Sequence, residues 1–183
     1  MTSIKLFAVY LGGHAKGCNI EVHDVVFAVG ADLHSTFPIL EKKWFGIRKA
    51  LHVDAWVELN YVDGYQIDVL PADALSNESD LAESALKLYF INFGAYEPNF
   101  FGEVHQSGFY VASSKKEAQA KARKQLCLKL KQRHHDDTIV IEDSIADVDD
   151  CIEINNVDKW KLTFTPTDIK EEFPPKCEYI KLS

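Results

Sequence analysis

Residues 5–29 read KLFAVYLGGHAKGCNIEVHDVVFAV, and residues 87–111 repeat this stretch without a gap as KLYFINFGAYEPNFFGEVHQSGFYV. Eight of the 25 aligned positions are identical. They are Lys5/Lys87, Leu6/Leu88, Gly12/Gly94, Glu21/Glu103, Val22/Val104, His23/His105, Phe27/Phe109 and Val29/Val111. Self-similarity at a fixed spacing indicates an internal duplication, so the chain is predicted to contain two copies of one module.

A second matching block extends the duplication. Residues 53–71 align with residues 148–166, which places 13 extra residues between the two matching blocks of the second copy. The segment between the copies is rich in Ala, Ser, Asn, Asp and Glu, a composition typical of a linker. The predicted organisation is a first repeat at 1–71, a linker at 72–86, a second repeat with a longer helix and an insertion at 87–166, and a C-terminal tail at 167–183.

Hydrophobic periodicity predicts the elements of each copy. Val25, Phe27 and Val29 recur at every second position, which indicates a strand with one face toward a core. In the second copy, Ser114 and Glu117 form a capping box at the start of a helix that is longer than its counterpart in the first copy. Each copy is therefore predicted to run strand, strand, helix, strand, strand. The predicted fold class is α+β, a tandem duplication of this module with antiparallel sheets, helices packed on one face and a pseudo-twofold arrangement.

Charge and cysteine content limit the compartment and the partners. The chain has 20 Lys+Arg against 28 Asp+Glu, a formal net charge of −8, which opposes general attraction to nucleic acid and to anionic membranes. Its four cysteines form no Cys-x-x-Cys pair, a pattern that indicates reduced thiols. No apolar run is long enough to cross a bilayer, and the N-terminal segment lacks the features of a signal peptide. A soluble, cytoplasmic protein is predicted.

One segment departs from this acidic balance. Residues 115–133 carry eight basic residues and one acid on a predicted helix, which provides a nucleic-acid-binding alternative. Residues 136–150 then carry seven acids. The better interpretation is that these acids neutralise the basic residues of the same chain, so a nucleic-acid partner is not expected.

The candidate site residues cluster in the first repeat. They are Glu21, His23, Asp24, His52 and Asp54. Alternate residues of a strand project to one side, so Glu21 and His23 are expected to share a face, as are His52 and Asp54. Imidazoles beside carboxylates provide a general base or bind a divalent metal ion, and no other cofactor is indicated. The second repeat keeps Glu103, His105 and Asp149 but has Gln106 and Asp147 at the other two positions, so a site that needs all five residues exists only in the first repeat.

A structural interpretation of the same cluster competes with the functional one. Polar residues at strand ends often cap turns or pair across strands, and a shared ancestor preserves folding residues as readily as catalytic ones. Perturbed polar clusters in proteins are frequently structural. The sequence alone leaves both interpretations open.

Three segments of the first repeat resemble a small bacterial family of uncharacterised proteins whose domain occurs in one or two copies. They are Tyr10-Leu11-Gly12-Gly13, Glu21-Val22-His23-Asp24-Val25-Val26-Phe27 and His52-Val53-Asp54-Ala55-Trp56. The resemblance extends over both repeats, and the second repeat departs from the pattern at Gln106, Asp147 and Cys151. It implies a duplicated domain in a bacterial cytoplasm and assigns no activity.

The leading functional hypothesis is a non-enzymatic module whose two repeats bind a protein or small ligand or assemble into a homo-oligomer, since duplicated domains often mimic a homodimer within one chain. The alternative is a metal-dependent or general-base hydrolase with its site in the first repeat. Nucleic-acid binding through residues 115–133 is the second alternative.

Overall fold

The computed structural model describes residues 4–74, 86–95, 99–133, 146–169 and 174–182. These ranges contain eleven strands and two α-helices. The strands are β1 (Lys5–His14), β2 (Val22–Gly30), β3 (Ile47–Glu58), β4 (Tyr61–Val62), β5 (Tyr65–Pro71), β6 (Lys87–Ala95), β7 (Val104–Ala112), β8 (Ala146–Ile154), β9 (Asn156–Val157), β10 (Trp160–Pro166) and β11 (Lys176–Lys181). The helices are α1 (Phe37–Lys43) and α2 (Lys115–Arg133).

Two compact units divide the chain. Unit 1 comprises Met1–Asn77 and Asn156–Ser183, and unit 2 comprises Glu78–Asn155. The last two strands of the second repeat, β9 and β10, therefore belong to unit 1 together with the strands of the first repeat.

Unit 1 contains two antiparallel sheets. Sheet A has the strand order β11-β3-β1-β2, and sheet B has the order β4-β5-β10-β9. Helix α1 covers one face of sheet A through Leu40, which is buried in one apolar cluster with Val9, Leu11 and Val53. This cluster fixes the strands that carry the candidate site.

Strands β5 and β10 are equivalent strands of the two repeats, and they pair with each other in sheet B. At the middle of the pair, Asp68 lies opposite Thr163, its own counterpart at the offset of 95 residues. The pairing continues for three residues on each side, to Tyr65 and Pro71 of β5. The register of this strand pair is therefore symmetric about its centre.

Unit 2 contains sheet C, with the strand order β7-β6-β8. Helix α2 packs on this sheet through Ala118 and Ala122, both fully buried beside Tyr89. One half of the predicted capping box is present, since the hydroxyl of Ser114 accepts a hydrogen bond from the backbone N–H of Glu117 at 3.3 Å, whereas the Glu117 carboxylate accepts from the backbone N–H of Ser113 at 3.0 Å. Small side chains on the buried stripe let the helix lie close to the sheet.

The predicted α+β class is wrong, because the described residues are mainly antiparallel β-sheet. Helix α1 has only seven residues, so it is too short to form the helical layer predicted for the first repeat. Strand β3 is by contrast long, with 12 residues from Ile47 to Glu58. Residues 176–181, predicted to lie in a tail, form the edge strand β11 of sheet A. Unit 1 is built chiefly from paired strands.

The predicted basic helix is present as α2, and some of its charge is used within unit 2. The ammonium group of Lys121 donates to the carbonyl oxygen of Val111 at 2.7 Å. The guanidinium of Arg123 lies 5.9 Å from the centre of the Phe93 ring. Nucleic-acid binding by this helix stays a prediction. Within the described ranges, no helix has the length and apolar character needed to cross a membrane.

Candidate functional site

Three neighbouring strands of sheet A place a histidine on each side of a glycine. His23 of β2 lies opposite Gly12 of β1, and His52 of β3 lies opposite the same Gly12. Residues directly opposite each other in antiparallel strands project to one face of the sheet. The two imidazoles are therefore on the same face, separated by a position without a side chain.

A β-bulge in β3 adds Asp54 to this face. The register passes from Tyr10 opposite Ala55 to Leu11 opposite Val53, so β3 contains one more residue than β1 at this point. The additional residue is Asp54. Bulges redirect side chains and are frequent next to functional sites.

Glu21, immediately before β2, completes a closed arrangement. The Nε2 atom of His52 lies 3.2 Å from Oε1 of Glu21 and 3.3 Å from Oδ1 of Asp54. The Nε2 atom of His23 lies 3.7 Å from Oε2 of Glu21 and 3.4 Å from Oδ2 of Asp54. Each carboxylate thus bridges the two imidazoles through its two oxygens. We call these four side chains the His–carboxylate ring.

The fifth candidate, Asp24, does not join the ring. It lies opposite Leu11, so it projects to the other face of β2 from His23. Burial raises the pKa of the Asp24 carboxyl, and a hydrogen bond with the backbone of Val25 lowers it in part. The sequence placed five residues near each other, and the fold brings four of them together.

Gly12 provides the space in which the ring forms. A Cβ atom at this position would lie 2.5 Å from Oδ2 of Asp54 and 2.5 Å from Nε2 of His52. Atoms in real structures do not approach a Cβ that closely, so any side chain here would displace the ring. The identity of Gly12 and Gly94 in the repeat was visible in the sequence, but its steric reason was not.

A backbone contact determines the proton position on His52. Its Nδ1 lies 2.9 Å from the carbonyl oxygen of Ala50, and a carbonyl only accepts, so Nδ1 carries a proton. In a neutral imidazole, Nε2 then presents a lone pair. That lone pair faces oxygens of Glu21 and Asp54, which is repulsive unless a cation lies between the atoms. That positive centre is either a proton shared between the imidazole and a carboxyl group or a metal ion.

One oxygen of the ring lacks a hydrogen bond. Oδ2 of Asp54 is inaccessible to solvent and has no hydrogen-bond partner within the described residues. Within the His–carboxylate ring, the atom that faces Oδ2 of Asp54 is Nε2 of His23, at a distance of 3.4 Å. A buried carboxylate oxygen without a donor is unfavourable, so this atom calls for either an N–H on Nε2 of His23 or a cation.

Two tyrosine side chains flank the His–carboxylate ring, and the sequence identified neither of them as part of a site. The ring of Tyr10 stacks on His23, with centroids 5.1 Å apart and planes 25° apart. The ring of Tyr179, from β11, lies against His52 with centroids 4.5 Å apart. Burial, and then the negative charge of Asp54, raise the pKa of the Tyr10 phenol. The alternation of β1 places Tyr10 on the face of Gly12, whereas no local pattern indicated Tyr179.

The ring lies where this face of sheet A opens to solvent. Along β1, Leu6 and Ala8 are buried on this face, whereas Tyr10 is 42% exposed. Within the ring, the His52 side chain is only 6% exposed, and the His23 side chain is 36% exposed. A small ligand can therefore reach the ring from one side while His52 anchors it from the other.

The second repeat keeps the backbone of this site. Gly94 lies opposite His105 of β7 and opposite Asp147 of β8, as Gly12 lies opposite the two histidines in the first repeat. The bulge also recurs, because the register of β8 gains one residue at Asp149, the counterpart of Asp54. The duplication therefore preserved the strand geometry.

His105, the counterpart of His23, has a different protonation pattern. The amide nitrogen of Asn92, the counterpart of Tyr10, lies 3.2 Å from Nδ1 of His105. An amide NH₂ only donates, so Nδ1 accepts, and a neutral imidazole carries its proton on Nε2. Its Nε2 lies 3.8 Å from Glu103. His105 thus presents an N–H to its acidic neighbour, whereas neutral His52 presents a lone pair.

In their present positions the ring atoms do not form a finished coordination sphere. Across the described parts of the chain, no group of three or more His, Cys, Asp or Glu side chains has the geometry of a metal centre. The nitrogen and oxygen atoms of the ring point at one another rather than at a shared point between them. A metal ion would require side-chain rotations within the ring.

The family described as Domain of Unknown Function (DUF1543) matches the chain twice, at residues 18–69 and 101–151. The chain belongs to the DUF1543 family. The resemblance found in the sequence and the internal duplication are thereby confirmed. The first match contains all four residues of the His–carboxylate ring.

This DUF1543 protein is also similar to a solved structure. The crystal structure of a protein Il1583 from Idiomarina loihiensis is 32% identical in sequence and covers 99% of both chains, with a TM-score of 0.71. No curated protein matches the chain. The comparisons thus establish the family and assign no activity.

Proposed function

We propose that this DUF1543 protein is a binding module and that the His–carboxylate ring of its first repeat binds a divalent metal ion. The observation that carries the proposal is the approach of two imidazole Nε2 atoms to two carboxylates at 3.2–3.7 Å. Two ligand atoms at about 2.1 Å from a tetrahedral ion are about 3.4 Å apart, so the ring has the spacing of a ligand set. Rotations about the side-chain bonds would direct the four groups to one point.

The charge and the chemistry of the donors fit such an ion. Two ionised carboxylates and two neutral imidazoles carry a charge of −2, which a divalent cation neutralises. Imidazole nitrogen and carboxylate oxygen together suit zinc and its neighbours in the first transition series. Metal-binding histidines usually donate their other N–H to a backbone carbonyl or carboxylate, as His52 does to Ala50. The orphaned Oδ2 of Asp54 would gain a partner.

Metal binding by the full-length, tag-free protein tests the proposal. After removal of metal by a chelator, the protein is titrated with Zn²⁺ by calorimetry and with Co²⁺ by visible absorption. We expect one ion per chain in the wild type and loss of binding in the His23→Gln/Asp54→Asn double variant. Both substitutions nearly preserve side-chain volume at partly exposed positions, so the variant should remain folded.

Two control variants identify the site. His105→Gln removes the equivalent histidine of the second repeat, and His134→Ala/His135→Ala removes a pair of adjacent histidines. Both controls should bind the ion as the wild type does. The proposal is wrong if the stripped wild type takes up neither Zn²⁺ nor Co²⁺, or if the double variant binds as tightly as the wild type. In that case the ring is held together by protons.

Hydrolysis is a second candidate function, supported by the exposure of the ring. Catalytic zinc sites have three protein ligands and keep the fourth position open to water, so hydrolysis would require one of the four groups to stay off the ion; His23, whose side chain is 36% exposed, is the group best placed to do so. A metal-bound water is acidic enough to supply hydroxide near neutral pH. The metal-loaded protein would then hydrolyse p-nitrophenyl acetate or phosphate faster than the His23→Gln/Asp54→Asn variant. Equal rates in the two proteins would exclude this function for those substrates.

A further inference from the structure

We infer that Tyr179 is a positioning residue for the metal site, so that the C-terminal strand β11 is part of the site; this inference rests on the proposed metal binding. The ring of Tyr179 lies 4.5 Å from the ring of His52, centroid to centroid, with the planes 34° apart. His52 is the buried member of the His–carboxylate ring. Tyr179 thus contacts the histidine that anchors the site.

The backbone of β11 aims Tyr179 at this position. Cys177 lies opposite Ala55 and Ile180 lies opposite Val53, so β11 has three steps where β3 has two. The extra residue lies in the segment that contains Tyr179. A bulge of this kind redirects a side chain, and Tyr179 remains 66% exposed apart from its contact with the imidazole. Burial alone therefore does not explain its placement.

Two contacts limit the rotation of the His52 ring. The hydrogen bond from Nδ1 to the carbonyl oxygen of Ala50 fixes one edge, and Tyr179 covers one face. Together they direct Nε2 toward the carboxylates. When an imidazole binds a divalent ion, its ring becomes more positive, which strengthens its attraction to the electron-rich face of a tyrosine. Metal binding and packing of Tyr179 should therefore reinforce each other.

Strand β11 does not depend on Tyr179 for its attachment. The backbone N–H of Leu182 donates to the carbonyl oxygen of Leu51 at 3.1 Å. The side chains of Ile180 and Leu182 pack against the apolar cluster of sheet A. A substitution at Tyr179 should therefore leave the fold of unit 1 intact and change only the environment of His52.

The test compares Tyr179→Ala with Tyr179→Phe, which keeps the aromatic ring, and with Glu178→Ala, which removes an exposed neighbour on the same strand. We expect Tyr179→Ala to weaken Co²⁺ binding by up to about 12-fold, the effect that would follow if the whole energy of one aromatic pair depended on the ion. Its Co²⁺ absorption spectrum should also change, because the ligand field depends on the orientation of His52. Tyr179→Phe and Glu178→Ala should match the wild type in both measurements.

A second measurement uses the reciprocity of coupled binding. If the ion strengthens the contact between His52 and Tyr179, it should slow hydrogen exchange in Lys176–Lys181 of the wild type, and less so in Tyr179→Ala. Wild-type affinity and spectrum in Tyr179→Ala would overturn the inference while leaving the metal site in place. Absence of metal binding in the wild type would instead overturn the proposed function and this inference together.

Discussion

Replacement of Gly12 by alanine should destabilise unit 1 and disrupt the His–carboxylate ring. The added Cβ would lie 2.5 Å from Nε2 of His52, 3.1 Å from its Cε1 and 2.5 Å from Oδ2 of Asp54. Asp54 is partly exposed and can turn away. His52 is buried, and its Nδ1 is bonded to the backbone, so it has little freedom to move. The clash with His52 therefore determines the cost.

The magnitude follows from overpacking at a buried position. Insertion of a methyl group into a packed site costs about 1–3 kcal/mol. Replacement of glycine where the backbone is unstrained recovers about 0.4–1 kcal/mol, because the unfolded chain loses freedom. No left-handed φ is recorded for Gly12, so this gain applies. The difference between the two ranges spans about 0–2.6 kcal/mol, and because the buried His52 has little freedom to move we expect the upper half, a loss of about 1.3–2.6 kcal/mol in the free energy of unfolding.

Tryptophan fluorescence isolates the relevant transition. All three tryptophans, Trp44, Trp56 and Trp160, lie in unit 1, so urea unfolding followed by their emission reports on that unit. The matched control is the same substitution in a His52→Ala background, in which the imidazole is absent. There, Gly12→Ala should cost clearly less, because the principal clash has been removed.

Two outcomes would refute this reasoning. The first is a Gly12→Ala protein as stable as the wild type, which would mean that the ring has more room than the 2.5 Å contacts indicate. The second is an unchanged cost in the His52→Ala background, which would place the clash elsewhere. If metal uptake were lost in that first case, the substitution would still disrupt the site even though the fold is not destabilised.

Two further predictions concern the ion pair at one end of sheet A and the helix of unit 2. Burial raises the pKa of Glu58, but Lys5, 2.8 Å away, together with Asn60 and Lys176 lowers it more, so the net pKa is below its ordinary value. The ion pair therefore stabilises unit 1 above the unfolded pKa of Glu58, and this stabilisation is lost as the pH falls through the folded pKa. Lys5→Met lacks the pair, so on acidification its free energy of unfolding, followed by tryptophan emission, should fall less than that of the wild type, by a difference of less than about 1 kcal/mol. Equal losses in both proteins between about pH 7 and about pH 3 would contradict this. Ala118→Leu should destabilise unit 2 by about 1–3 kcal/mol, because Ala118 is fully buried on the side of α2 that packs against sheet C. An unchanged melting temperature by far-UV circular dichroism would show that the helix packs too loosely on the sheet for the added volume to matter.

The sequence predicted much of the His–carboxylate ring because two rules sufficed. Alternation along a strand put Glu21 with His23 and His52 with Asp54, and the duplication indicated that both segments belong to one module. Convergence of the two pairs depends on which strands are neighbours. Here β1 lies between β2 and β3, and Gly12 of β1 leaves the space between the histidines.

The features that the sequence did not predict are those set by long-range pairing. The extra residue at Asp54 arises only when β3 is aligned with β1, and Tyr179 reaches His52 only because a distant segment adds a strand to the sheet. The fold class was mistaken for a related reason. The predicted helix of the first repeat implied a helical layer, whereas the actual helix has seven residues and the neighbouring strands account for most of the structure.

The symmetric pairing of β5 with β10 bears on how this protein evolved from a chain with one repeat. Because Asp68 lies opposite its own counterpart, Thr163, a single-repeat ancestor could have formed the same strand pair with an identical partner molecule. Gene fusion would then have converted a contact between two subunits into one within a chain. With the partner permanently attached, the second copy could carry Asp147 where the first has His52, while its strands β9 and β10 continued to complete sheet B.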